Sequence, residues 1–110
     1  MHGFCHIEIP TTDISKSRQF YEQVFDWELE ELPEMNYTMF TTPDEQEGGF
    51  QKADSIPEEP VVLNFIEVDD IEETLDKIAQ HGGEVLEEKS KVGEFGFQAT
   101  FADPCGVVLG

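Results

Sequence analysis

Residues 4–9 are strand-like, with apolar and polar positions alternating from Cys5 to Ile9, and apolar residues then recur at helical spacing from Ile14 to Phe25. That is a switch from the strand period to the helix period. Pro10 is expected to end the first strand, because proline cannot donate to a central ladder. Asp13 is placed to cap a helix over 14–25, with Ile14, Arg18, Tyr21 and Phe25 along one stripe and Phe20 and Val24 widening it. Asp26 follows where a left-handed residue closes a helix, a conformation aspartate tolerates better than most side chains. Residues 27–32 then begin a strand, Pro33-Glu34 interrupts it, residues 35–40 resume it, and a short strand is expected over 49–52.

Residues 53–60 carry Pro57 and Pro60 and no apolar period, so they read as a connector. The pattern then repeats. Val61–Val68 is strand-like, Asp69 or Asp70 caps a second helix with Ile71, Leu75, Ile78 and Ala79 on its buried stripe, and Gly82-Gly83 stops it. Residues 85–86, 95–101 and 107–109 supply three further short strands, the last preceded by the turn Asp103-Pro104-Cys105-Gly106. The two helix-opening aspartates, Asp13 and Asp70, lie 57 positions apart. One supersecondary unit is used twice, as module one (1–52) and module two (61–110), within a single domain. A duplicated unit of this size can close a cup between its copies.

Side-chain alternation predicts which residues line that cup. Cys5, Ile7 and Ile9 form the uninterrupted apolar set and should face the helix, which turns Phe4, His6 and Glu8 toward the cup. The matched positions of the second copy, Leu63 and Phe65 with Val61, line the opposite wall. Tyr37 and Met39 share a face, and Phe97 is a further candidate for the wall. Such a cup has a polar pair on one side and apolar surface on the other, and suits a small organic molecule with an apolar body and one polar end. Two readings of Glu8 stand side by side. A contact with His6 or Arg18 satisfies it structurally, or the same environment makes it a general base.

The order of elements, with His6-x-Glu8-x-x-x-x-Asp13 leading to Phe20-Tyr21-x-x-x-Phe25-Asp26-Trp27 and later Gly82-Gly83 and Asp103-Pro104-Cys105-Gly106, resembles the vicinal oxygen chelate superfamily. That superfamily includes glyoxalase I, bleomycin-resistance proteins and extradiol dioxygenases. The resemblance covers the whole chain, with Asp26 standing where those relatives usually carry glycine. It implies an α+β fold of two βαβββ modules forming an open, barrel-like cup, the glyoxalase/bleomycin resistance/dihydroxybiphenyl dioxygenase-like fold. It also implies a small-molecule ligand, a homodimer, and either metal-assisted isomerase, lyase or dioxygenase-type chemistry or metal-free sequestration of a drug-like molecule.

Where such relatives hold a catalytic divalent ion (Ni, Zn, Fe or Mn), the resemblance puts its ligands on the first and last strands of each module. His6, seven residues before Asp13, matches the first position. Seven residues before Asp70 stands Leu63, which cannot bind a metal. Near the third strand of module one only Gln51 could coordinate, and a carboxylate expected a few residues past Gly106 is not reached before Gly110. A catalytic ion needs about three protein ligands and an open position. The full set is not visible, which leaves His6 as a possible metal ligand and Glu8 as a candidate catalytic base.

Charge changes the list of partners more than the fold. The chain carries 25 Asp and Glu against 6 Lys and Arg, a formal charge of −19, which would repel nucleic acid and anionic membranes alike. This acidity fits a well-solvated surface or adaptation to high salt. No leader-like or membrane-spanning run occurs, so a cytoplasmic location is expected. Cys5 and Cys105 are too few for a disulfide framework and are expected as free thiols, with Cys105 the one in a position to react.

Overall fold

The computed structural model describes residues 1–110. The first half folds as β1 (Ile7–Thr11), α1 (Ile14–Phe25), β2 (Glu28–Leu32), β3 (Tyr37–Thr41) and β4 (Glu47–Lys52), with one 3₁₀ turn at Pro33–Met35 where the strand break was expected. The second half contributes α2 (Ile71–Gln80), β5 (Glu84–Val92), β6 (Gly96–Ala102) and β7 (Val108–Leu109). Two sheets result, one ordered β1-β4-β3-β2 and one ordered β5-β6-β7. The class is α+β, as expected.

Local chemistry sets the helix ends. Asp13 accepts the backbone N–H groups of Ser15 and Lys16, and Asp26 adopts φ 59°, ψ 31° and donates its own N–H to the Tyr21 carbonyl. Asp70 rather than Asp69 caps α2, accepting from the Glu73 N–H at 3.0 Å. Both caps satisfy donors that the first turn of a helix leaves open.

Two strand expectations are corrected. Pro10 does not end the first strand but lies inside β1, opposite Gln51 of the parallel neighbour β4. β1 is an edge strand, so the missing proline N–H falls where no ladder bond is required. The strand starts at Ile7, which leaves Phe4 outside it and 87% exposed, and leaves Cys5, expected against the helix, exposed as well. Residues 61–68 do not form a strand. They are held by two bonds, from the Ile66 N–H to the Gly110 carbonyl and from the Gly110 N–H to the Asn64 carbonyl, each 2.8 Å. The strand they would pair with, β7, is two residues long, so no extended ladder is available to them.

One apolar core joins both halves. Phe20, Tyr21, Val24 and Phe25 of α1 pack with Ile9, Phe40 and Phe50 of the first sheet and with Ile78, Phe101 and Leu109 of the second half. Trp27 stacks between Phe40 and Tyr21, with ring centroids 4.3 and 4.6 Å away. Ile66 and Val68 pack against this cluster from the irregular segment. No helix is long and apolar enough to cross a membrane.

Candidate functional site

The first sheet has one face in the core and one face open. Ile9, Phe40 and Phe50 occupy the inner face. The registers Glu8–Gly49–Met39–Glu30 and Thr41–Glu47 put Glu8, Met39, Glu30 and Glu47 on the other face. Tyr37 lies two residues before Met39 and therefore shares that face.

The Gly48-Gly49 pair explains how two aromatic rings cross this sheet. A Cβ on Gly48 would collide with Phe40 on the inner face, and a Cβ on Gly49 would collide with the Tyr37 ring and hydroxyl on the outer one. Because position 49 has no side chain, the Tyr37 ring lies flat across β4 and its hydroxyl reaches β1. There it donates to Glu8 Oε2 at 3.1 Å and sits 2.8 Å from His6 Nε2. The His6 and Tyr37 rings stack, with an interplanar angle of 20°.

A tyrosine hydroxyl has one hydrogen, and Glu8 receives it. His6 Nε2 must then carry the proton of its own bond and donate it to the Tyr37 oxygen. The order is His6 N–H to Tyr37 O–H to Glu8 carboxylate. Partial burial, then the hydrogen bond to Glu8 and its charge, push the Tyr37 phenol up to about 12, so it remains a hydroxyl at neutral pH. The arrangement can pass a proton along the chain or hold a polar group of a ligand between donor and acceptor.

A second polar cluster escaped the sequence reading. Asp103 is buried and accepts from the Tyr21 hydroxyl at 2.9 Å and from the backbone N–H groups of Cys105 and Val107. Burial pushes its carboxyl above the ordinary carboxylate value, and the hydrogen bonds hold it back. The Asp-Pro-Cys-Gly turn was visible in the chain, but nothing local showed that its aspartate would meet Tyr21 of α1. Beside it, Cys105 Sγ lies 3.6 Å from both the Thr11 and Ser17 hydroxyls. Partial burial alone would raise this thiol, but the hydroxyls of Thr12, Ser17 and Thr11 outweigh it and bring it below the usual value.

A family model described as the Glyoxalase/Bleomycin resistance protein/Dioxygenase superfamily matches residues 3–110. The chain belongs to this superfamily. It is 29% identical to a glyoxylase-like domain-containing protein of Didymella fabae, an alignment covering 84% of this chain and 79% of that one. It is 28% identical to the candidate glyoxylase CFP32 of Mycobacterium bovis over 94% of its own length, and spans 42% of that relative. Its fold superposes on the fosfomycin resistance protein FosX of Listeria monocytogenes with a TM-score of 0.80 at 20% identity, covering 99% of this chain and 88% of that one.

The expected site residues fall in three places within this superfamily fold. His6, Glu8, Tyr37 and Met39 come together on the open face of the first sheet. Phe65 and Phe97 instead border a cavity of about 370 Å³ between α2 and β6, together with Ile71, Leu75 and Phe101. Leu63 is 36% exposed on the irregular segment. A larger cleft of about 640 Å³ separates the halves, bounded by Ile9, Phe40, Asn64, Phe65 and α2 and rimmed by Asp26, Asp44, Glu67 and Asp69. His6, Glu8, Tyr37, Met39 and Leu63 line neither space.

No three His, Cys, Asp or Glu side chains converge anywhere in the chain. His6 Nε2 is engaged by Tyr37, and leucine occupies the matched position 63. These donors do not fit a catalytic divalent ion, which needs about three protein ligands.

Proposed function

We propose that this superfamily member binds a small organic molecule on the open face of its first sheet, with His6, Tyr37 and Glu8 taking its polar end and Met39 beneath its apolar body. The observation that supports this most is the ordered His6–Tyr37–Glu8 hydrogen-bond chain on an exposed face, where a structural role does not require three linked polar side chains. The charge of the face narrows the ligand. Glu8, Glu30 and Glu47 share it, and the one basic residue of the sheet, Lys52, is bonded to the Thr12 carbonyl. A neutral or cationic polar end suits such a surface, and an anionic one is repelled.

We favour metal-independent binding or sequestration over metal-assisted isomerase, lyase or dioxygenase-type chemistry, because of Leu63 and the occupied His6 Nε2. Glu8, at the accepting end of the chain, is the group that would serve as base if the ligand is transformed. A homodimer, expected from the superfamily, would enclose the open face, and a cytoplasmic location suits the two free thiols.

The test is a fragment screen of amines and neutral polar aromatics, read by NMR shifts of the His6 ring and the Met39 methyl. Binders should lose at least tenfold in affinity in Tyr37→Phe and in His6→Ala. Metal analysis of chelator-free protein accompanies it, and stoichiometric metal that disappears in His6→Ala would overturn the metal-independent reading. Binders that leave His6 and Met39 unshifted would overturn the site itself. A monomeric mass in light scattering would remove the dimer.

A further inference from the structure

We propose that the cavity between α2 and β6 is a second binding site, separate from the His6–Tyr37–Glu8 face, for a neutral and largely apolar molecule of two or three rings or an equivalent alkyl body. Its inner wall is the core itself, Phe25, Ile78 and Phe101, while Ile71 and Leu75 of α2 close one side. Phe65 and Phe97 stand at its border, each 57% exposed. Large aromatic rings left half in water around a concave apolar space gain most from a ligand that covers them.

Size and chemistry select the occupant. An apolar cavity of roughly 150 Å³ is enough to hold benzene, so about 370 Å³ accommodates a body two to three times larger. The space opens to solvent and is lined mainly by apolar side chains, so a ligand body that covers those walls displaces water from them. Glu67 lies on the lining and opposes an anion. No basic residue is on the lining, and Lys89, beside Phe97, is already committed, with its Nζ 3.4 Å from Glu72 Oε1 and 4.6 Å from the centre of the Phe97 ring. A charged ammonium group would lose hydration against aliphatic walls. The ligand is therefore neutral, and Gln98 on the lining offers it one amide donor and acceptor.

Two contacts hold the borders. A Cβ on Gly110 would collide with the Phe65 ring, so that ring lies directly against the backbone at position 110. Lys89 ties β5 to α2 while covering one face of Phe97.

The experiment titrates the whole chain with N-phenyl-1-naphthylamine, a neutral three-ring dye that brightens on leaving water. Saturable binding at one site per chain is expected, unchanged in Tyr37→Phe and weakened at least tenfold in Ala99→Phe, which fills the cavity from β6. Methyl NMR of the wild-type chain should show dye-induced shifts at Ile71, Leu75 and Ile78 and none at Met39. This second measurement decides the question even if Ala99→Phe fails to fold. Absence of saturable binding, shifts centred on Met39, or full binding in folded Ala99→Phe would overturn the proposal. So would a cavity that admits dye only on dilution to monomer, which would assign it to a second copy of the chain.

Discussion

Replacing Tyr21 by phenylalanine keeps the ring that stacks on Trp27 and removes only the hydroxyl that donates to Asp103 at 2.9 Å. Both partners are buried, Tyr21 completely and Asp103 to 4% exposure, so water cannot replace the lost bond. A hydrogen bond to an ionised group is worth about 1.5–3 kcal/mol, and one to a neutral group about 1 kcal/mol. The loss at pH 7 should therefore be about 2 kcal/mol. Its pH dependence is the sharper test. Burial raises the Asp103 carboxyl in the folded chain above its ordinary value, so the folded state holds that proton more tightly than the unfolded one. Asp103's contribution to stability is then greatest at acid pH and declines as pH rises through the folded pKa. Tyr21 donates to the ionised form and limits that decline. Without it the decline steepens, and the penalty of Tyr21→Phe should grow from about 1 kcal/mol near pH 3 to about 2 kcal/mol at pH 7. Urea unfolding followed by circular dichroism and by the fluorescence of the single tryptophan measures both values. A penalty equal at the two pH values, or larger at the acid one, would refute the assignment of Asp103 as the buried acceptor.

Three further outcomes follow from the same geometry. In Glu8→Gln, Tyr37 loses the charge that helps hold its phenol at about 12, so its inflection in ultraviolet titration should fall toward the ordinary tyrosine range, with Tyr37→Phe identifying the signal. In a Cys5→Ser background, iodoacetamide should alkylate Cys105 with a pH midpoint below the usual thiol range of about 8.5, and Ser17→Ala should move that midpoint up. Asp70→Ala should cost about 1 kcal/mol in thermal or urea unfolding by opening the first turn of α2, and Asp70→Asn should restore most of it, because asparagine caps as well as aspartate.

What the chain reveals about its fold divides along the distance over which each feature is decided. The bounds of α1 are legible because its caps and stripe lie within a few residues of one another. Strand ends are not, because they depend on partners. Alternation assigned Ile7 and Ile9 to the core and Glu8 to the opposite face, but it also turned Cys5 inward, which is exposed ahead of the strand, and Pro10 could be placed only once β1 was known to be an edge. Likewise, 61–68 has strand composition, but the ladder that would make it a strand belongs to β7 at the other end of the second half.

The site follows the same rule at longer range. Period two alone paired His6 with Glu8 and Tyr37 with Met39, and the registers of both strands on Gly49 put the two pairs on one face. What could not be read was why Tyr37 reaches across two strands: the reason is Gly49, a residue with no chemistry of its own, which clears the sheet surface beneath the ring. The same argument explains why Phe97 lies away from the cleft between the halves, while Phe65 borders both that cleft and the cavity beside α2. Their direction depends on how an irregular segment and the seven-residue β6 lie against α2, with Lys89 and Gly110 holding the two rings in place. A polar triad and an apolar cavity thus occupy separate surfaces of one chain. Perturbing Gly49 should disturb the first and leave the second unchanged, which makes Gly49→Ala the substitution that separates the two sites.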